Sequence, residues 1–270
     1  MTLTNFQQTL YTGNDKKITE HAAALIIATA YRAIADHGFF SIVLAGGNSP
    51  RILYEKLAQG VSSDIFERYD LAMPGNNPGS KQTLHSLPAN TWLFQGDERC
   101  VPIDHPDSNY RMVSESLLRQ GSGIADDHLF RMAAEESDTD SSAKSYEAAI
   151  RTFFATEGSL LPDGYPLFDL ILLGLGEDGH TASLFRDNAE ALQERKRWVI
   201  AVHAPQAKPP GMRLSITLPV INHARNVLIF TTGHEKCQLA KRIFLEEEKS
   251  LPASLVKPKN GRLYWFAAYE

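Results

Sequence analysis

The chain has little of several things that would narrow its class at once. It holds two cysteines in 270 residues, Cys100 and Cys237, far apart and without CxxC spacing. Neither a disulfide framework nor a zinc cluster can be drawn from them. No stretch reaches the roughly 18 uninterrupted apolar residues of a membrane-spanning helix. The opening MTLTNFQQTLYTGNDKK lacks the apolar centre of a signal peptide. Nor is there a surplus of positive charge: 27 Lys plus Arg against 32 Asp plus Glu leave a formal net charge of −5, a poor match to a phosphate polymer. Nucleic acid and membrane are therefore not expected as partners, and a soluble cytoplasmic protein is.

What is present suits a globular enzyme. Hydrophobic residues make up 43% and charged residues 22% of the chain, close to the average for folded domains. The length allows one large domain or two small ones. No internal repeat is visible.

Apolar residues Ala23, Ile26, Ile27, Ala30 and Ile34 recur at helical spacing and predict a helix over 18–37. FFSIVLAGG at 39–47 reads as a buried strand running into two glycines. Ser49-Pro50 then offers an N-cap and a first-turn proline for the helix RILYEKLAQ. Further strands are expected at 91–94, 168–176, 198–202, 213–218, 226–232 and 262–267, with helical patterns between most of them. Continuously apolar strands alternating with helices predict a three-layer α/β architecture, a mostly parallel sheet with helices on both faces.

Residues 72–90, AMPGNNPGSKQTLHSLPAN, sustain neither period and read as a long surface excursion from a single domain spanning 1–270, with a linker as the alternative. The acidic, serine-rich stretch 133–145 reads as a second connection, leading into the helix SYEAAIRTFF.

Three constellations carry chemistry. In LAGGNSP, 44–50, paired glycines between strand and helix let the backbone approach a phosphate, with helix N–H groups pointing at it. Taken alone the turn is explained more simply by glycine's backbone freedom, and no GK[ST] follows to make it a Walker motif. In FQGDERC, 94–100, Asp97, Glu98 and Arg99 stand at the carboxyl end of a strand, where open α/β sheets place ligands. Alternation puts Asp97 and Arg99 on one side and Glu98 on the other; the plain alternative is a solvated strand end with a local ion pair. Ser108 and Asn109 read most simply as caps of the next helix.

FDLILLGLGEDGHTASLF, 168–185, is the most informative. A hydrophobic strand, a Gly174-x-Gly176 turn and then Asp178, Gly179 and His180 precede an expected new helical segment. Histidine titrates near neutrality and suits general-base work, with Asp178 or a backbone carbonyl fixing its tautomer. The glycine spacing does not make a convincing dinucleotide site. Ser183 lacks the GxSxG elbow of a serine hydrolase.

Together these strings resemble the glucosamine-6-phosphate isomerase/6-phosphogluconolactonase family, on its lactonase side. The likeness runs through the turn at Gly46 to Pro50, GDERCVPIDHPDSNY at 96–110, LGLGEDGHTASLF at 173–185 and PPGMRLSITLPVI at 209–221, with weaker support from GHEK at 233–236 and LPASLV at 251–256. The string after DGH is the specific part, because the deaminases of the family continue toward an asparagine and a glutamate.

The resemblance implies hydrolysis of 6-phospho-D-glucono-1,5-lactone in the pentose phosphate pathway, without metal or cofactor. It makes His180 the general base and Asp97, Arg99 and Asp178 further catalytic residues. Gly46, Gly47, Asn48 and Arg213 become contacts to the sugar phosphate, with Lys236 as a helper. An amino-sugar-phosphate isomerase or deaminase using Asp97 as its base, and a non-catalytic sugar-phosphate sensor, are the alternatives. Two departures stand out: Asn48 interrupts the hydroxyl-rich turn usual in the family, and Arg186 replaces a proline after SLF.

Overall fold

The computed structural model describes residues 6–75, 84–157 and 160–269. In chain order its strands are β1 (Gln7–Gly13), β2 (Phe40–Leu44), β3 (Val61–Ser62), β4 (Leu84–His85), β5 (Thr91–Gln95), β6 (Asp97–Arg99), β7 (Leu129–Phe130), β8 (Leu170–Leu173), β9 (Val199–Ala204), β10 (Gly211–Ile216), β11 (Asn226–Thr232) and β12 (Arg262–Ala268). The α-helices are α1 (Asp15–His37), α2 (Asn48–Gln59), α3 (Ser63–Arg68), α4 (Asn109–Val113), α5 (Thr139–Glu157), α6 (Ala189–Gln193), α7 (Leu218–His223) and α8 (His234–Phe244).

Seven strands form the central sheet in the order β1-β12-β11-β8-β2-β5-β7, and every neighbouring pair in it is parallel. Its inner strands β2, β5, β8 and β11 are buried on both faces, as their apolar runs predict, while the edge strand β1 is partly exposed. Alternate residues feed two cores. Val43, Phe94, Ile171, Leu173, Val227 and Ile229 pack toward α5 and α8. Ile42, Leu44, Leu93, Leu172, Leu228 and Phe230 pack toward α1 and α2. The three-layer α/β expectation is borne out. Among the described residues no helix is long and apolar enough to cross a membrane.

Two expected strands go elsewhere. β9 and β10 join β6 in a separate three-stranded antiparallel sheet with β10 in the middle. Gly96 links the two sheets: its N–H donates to Leu44 O, and its carbonyl accepts from Ile216 N–H. A Cβ there would press within 3.1 Å of both Leu44 O and Val43.

Other details also differ from the sequence reading. α1 begins at Asp15, where the Asn14 side chain accepts from Lys17 N–H, and it ends at Gly38 in the left-handed region. α2 starts at Asn48 with Gly47 before it and no side-chain cap. Ser49 is not its cap; the hydroxyl bonds instead to Thr232 on β11. α5 begins at Thr139, inside the segment expected to be a connection, because the Asp138 carboxylate accepts from Ser141 N–H. No helix follows DGH directly: Thr181 and Leu184 bridge one another in a turn, and helix resumes only at Ala189. Ser183 is therefore not helical. The 72–90 excursion lies partly outside the described residues, but it carries β4, which pairs with β3.

Candidate active site

The carboxyl ends of four adjacent strands, β11, β8, β2 and β5, converge on one cavity of about 200 Å³. From β2 the chain runs to β5 on one side, and β8 lies on the other, so the cavity sits where the direction of winding reverses. Residues following these strands line it: Gly46, Gly47 and Asn48 after β2, Asp97 and Arg99 after β5, His180 after β8 and Lys236 in the first turn of α8. Arg213 enters from β10. A larger groove of about 910 Å³ opens at the amino ends of β1, β11 and β12. None of the glycine, DER or DGH motifs reaches it, whereas each of the three has residues in the wall of the smaller cavity.

His180 is held by its own loop. Its Nδ1 lies against Asp178 Oδ1, and its backbone N–H donates to the same oxygen at 3.1 Å. Gly176 N–H donates to His180 O, closing the loop beneath the ring. A side chain on Gly176 would collide with the imidazole and the Asp178 carboxylate. Gly179 takes a positive φ of 78° and packs on Leu251, where a Cβ would not fit. Phe185 flanks the imidazole, with ring centres 4.6 Å apart. With Nδ1–H donated to Asp178, Nε2 is the nitrogen left as a proton acceptor. The hydrogen bond from His180 holds the Asp178 carboxyl below its ordinary range against the opposing effect of burial. Asp178 does not line the cavity itself. It borders a neighbouring hollow with Phe185 and Arg186, which is also where the Arg186 departure falls.

DER is organised by its middle residue. Asp97 and Arg99 face the cavity, whereas Glu98 is buried and turned away. Glu98 Oε1 accepts from the N–H groups of Arg99 and Asn109; Oε2 accepts from Gln95 Nε2, Ser108 Oγ and Tyr110 N–H. Burial still pushes the Glu98 carboxyl above its usual value, with those bonds working against the shift. The solvated ion pair weighed for this strand end is not what forms. Ser108 does cap α4, accepting from Arg111 N–H. Asn109 instead reaches across to Asp97.

Among the described residues four cations border the cavity, Arg99, Arg213, Lys208 and Lys236, with Asp97 as the one carboxylate in its walls. Arg213 is only 4% exposed and lies on the central strand of the small sheet, not on an edge. One terminal nitrogen donates to Pro209 O at 2.9 Å, and its buried Nε has no partner. Burial lowers its pKa, with the Arg99 charge adding to the shift and Asp97 opposing it. Arg99 donates to Asp107 O and likewise keeps a buried, unpartnered Nε. Lys208 escaped the sequence reading, which began that motif at Pro209. Its signal was a lysine rigidified by two following prolines, five residues before Arg213.

A parallel α/β sheet with a glycine turn, a carboxylate-held histidine and a cluster of cations at its switch point has the parts of an enzyme that acts on a small anion. The family model for glucosamine-6-phosphate isomerases/6-phosphogluconolactonase matches residues 13–265, and the chain belongs to that family. It is 36% identical over 254 residues to a 6-phosphogluconolactonase of Synechocystis, covering 93% of this chain and 91% of that one. It is 36% identical over 248 residues to a probable 6-phosphogluconolactonase of Arabidopsis thaliana, covering 87% of this chain and 81% of that one. Among solved structures, a 6-phosphogluconolactonase from Trypanosoma cruzi superposes with a TM-score of 0.75 at 27% identity, covering 98% of this chain and 94% of that one. The resemblance read from the motifs is thereby borne out.

Proposed function

We propose that this chain is a single-domain cytoplasmic enzyme that hydrolyses 6-phospho-D-glucono-1,5-lactone to 6-phospho-D-gluconate, the ring-opening step of the oxidative pentose phosphate pathway. The observation that carries the reading is His180: Nδ1 is bound to Asp178, and the ring lies in a cavity bordered by four cations. The relatives' names supply the lactone, and two cores packed on opposite faces of one sheet support a single domain.

His180 Nε2 takes a proton from water as its oxygen bonds to the lactone carbonyl carbon. The carbonyl oxygen becomes an oxyanion facing Arg99 and the N–H groups around Gly46 and Gly47, where each preorganised donor contributes about 10²- to 10³-fold. The intermediate collapses with cleavage of the bond to the ring oxygen, which leaves with the proton held by His180. Arg213 and Lys236, together with Lys208 and the open amino end of α2 at Asn48, receive the phosphate. Asp178 keeps the imidazole in the acting tautomer. No step requires a metal or a cofactor.

Hydrolysis of freshly generated 6-phosphogluconolactone, followed by coupled oxidation of the product with and without EDTA, tests the reading. Turnover far above the spontaneous rate and unaffected by chelator is expected. Ammonia release from glucosamine-6-phosphate with no lactonase activity would overturn it in favour of the deaminase.

A further inference from the structure

Asp97 is gripped from two sides by residues outside the mechanism just described. Asn109 Nδ2 donates to Asp97 Oδ1 at 3.1 Å and to the Asp97 carbonyl at 2.9 Å. Ser183 Oγ donates to Asp97 Oδ2 at 2.7 Å. Ser183 is itself fixed by its N–H, which donates to Ser215 Oγ on the strand paired with β6. All four side chains are buried.

The Asn109 amide lies flat against Gly46, where any Cβ would overlap it. Its Oδ1 is buried without a partner. That arrangement is poor packing, since a leucine would fill comparable space without stranding an acceptor. What asparagine supplies is the Nδ2 donor aimed at Asp97. The same contact gives Gly46 a second reason to be glycine, beyond letting a phosphate approach.

An ionised carboxylate offers about two acceptor positions on each oxygen. Asn109 occupies one on Oδ1 and Ser183 one on Oδ2. Asp97 also lines the cavity with Arg213, whose charged form it favours against burial. A lactone ring carries several hydroxyl donors, and a carboxylate locked in plane is a suitable acceptor for one of them.

We infer that Asn109 and Ser183 are positioning residues: they lock the Asp97 carboxylate in the orientation that accepts a sugar hydroxyl and counterbalances Arg213. The inference rests on the lactonase reading. It also gives Ser183, in the string that separates lactonases from deaminases, a chemical role other than that of a nucleophile.

The test is a double-mutant cycle. Ser183→Ala and Asn109→Ala are each measured alone and in an Asp97→Ala background, by kcat/KM on the phosphorylated lactone and by calorimetric affinity for 6-phosphogluconate. Each single substitution should lower kcat/KM about tenfold, and in the Asp97→Ala background the further loss should shrink below about twofold. A merely structural role would leave the tenfold loss undiminished after Asp97 is gone, and that result overturns the inference. So does wild-type kinetics in both single variants. Melting curves verify that each variant is folded; should Asn109→Ala fail to fold, Ser183→Ala, which removes one oxygen, carries the cycle alone. Additive losses in a protein that hydrolyses the lactone remove this inference only, whereas a wild-type protein inert toward the lactone removes the lactonase reading and this inference with it.

Discussion

His180 and Asp178 form a pair in which the carboxylate holds the ring and stays out of the cavity: Nδ1 lies 2.5 Å from Oδ1, the backbone N–H shares that oxygen, and only His180 lines the cavity. Such a pair divides the labour of a general base. In the proposed mechanism one member would move the proton and the other would decide which nitrogen carries it.

His180→Asn should therefore reduce kcat about 10²- to 10⁴-fold with little change in KM, and Asp178→Asn should fall between that variant and wild type. Steady-state assays corrected for spontaneous hydrolysis measure both. Near-normal turnover in His180→Asn would move the base to Asp97. Because the Asp178 carboxyl is held below its ordinary range, its contribution to stability is present above the ordinary carboxylate pKa and disappears as pH falls through the depressed value. The melting-temperature gap between wild type and Asp178→Asn should accordingly close in acid.

Arg213 is expected to hold the phosphate. Arg213→Ala should raise KM for the phosphorylated lactone about 10- to 100-fold, the usual worth of a hydrogen bond to a charged group, and should act much less on glucono-1,5-lactone without phosphate. Comparing the two substrates separates lost phosphate binding from general damage, since equal losses on both would cancel the assignment.

Glu98 is a buried anchor that lies outside the cavity wall. Glu98→Gln places an NH₂ group opposite at least two of the five donors now satisfied. About 2 kcal/mol or more of stability should go, because buried polar groups left unpaired cost that much. Urea titration reads the loss. Activity should fall with it, as Arg99 and Asn109 both hang from this carboxylate.

His21 should make the fold sensitive to acid. It stacks on Tyr69 with ring centres 3.8 Å apart and touches Tyr11 and Phe266, and burial lowers its pKa to about 4. The unfolded chain takes up this proton near pH 6.5 and the folded one only near 4, so stability is lost as pH falls through that window. The loss is about 3 kcal/mol. His21→Phe keeps a ring in the stack and should flatten the pH dependence of urea unfolding between pH 7 and 4; an unchanged slope would place the acid sensitivity elsewhere.

How much of this was legible in the sequence depended on whether the signal was local. Apolar runs such as IVL and LILL name their strands because they are short, rich in large aliphatic side chains and followed closely by glycine turns. The three motifs named the cavity because glycine, carboxylate and histidine fall at strand ends. β1 was missed: QQTLYTG is a partly exposed edge strand whose only large apolar residues are the adjacent Leu10 and Tyr11, with neither alternation nor an apolar run to mark it. The division into two sheets was equally hidden, since the apolar content of β9 and β10 is that of parallel strands while their pairing depends on partners far along the chain. Asn109 was read as a cap because Ser-Asn before a helix has that local explanation, and only the fold brings Asp97 within its reach.

Arg99, Arg213, Lys208 and Lys236 have a cost that falls on the free protein. Among the described residues four like charges gather around one small space with a single carboxylate to offset them, so they repel one another and an anion placed between them would relieve the repulsion. Binding and folding are then thermodynamically linked: inorganic phosphate should raise the melting temperature in proportion to the logarithm of its concentration above Kd. An uncharged residue of matching shape at one of the four positions would yield a sturdier and slower enzyme.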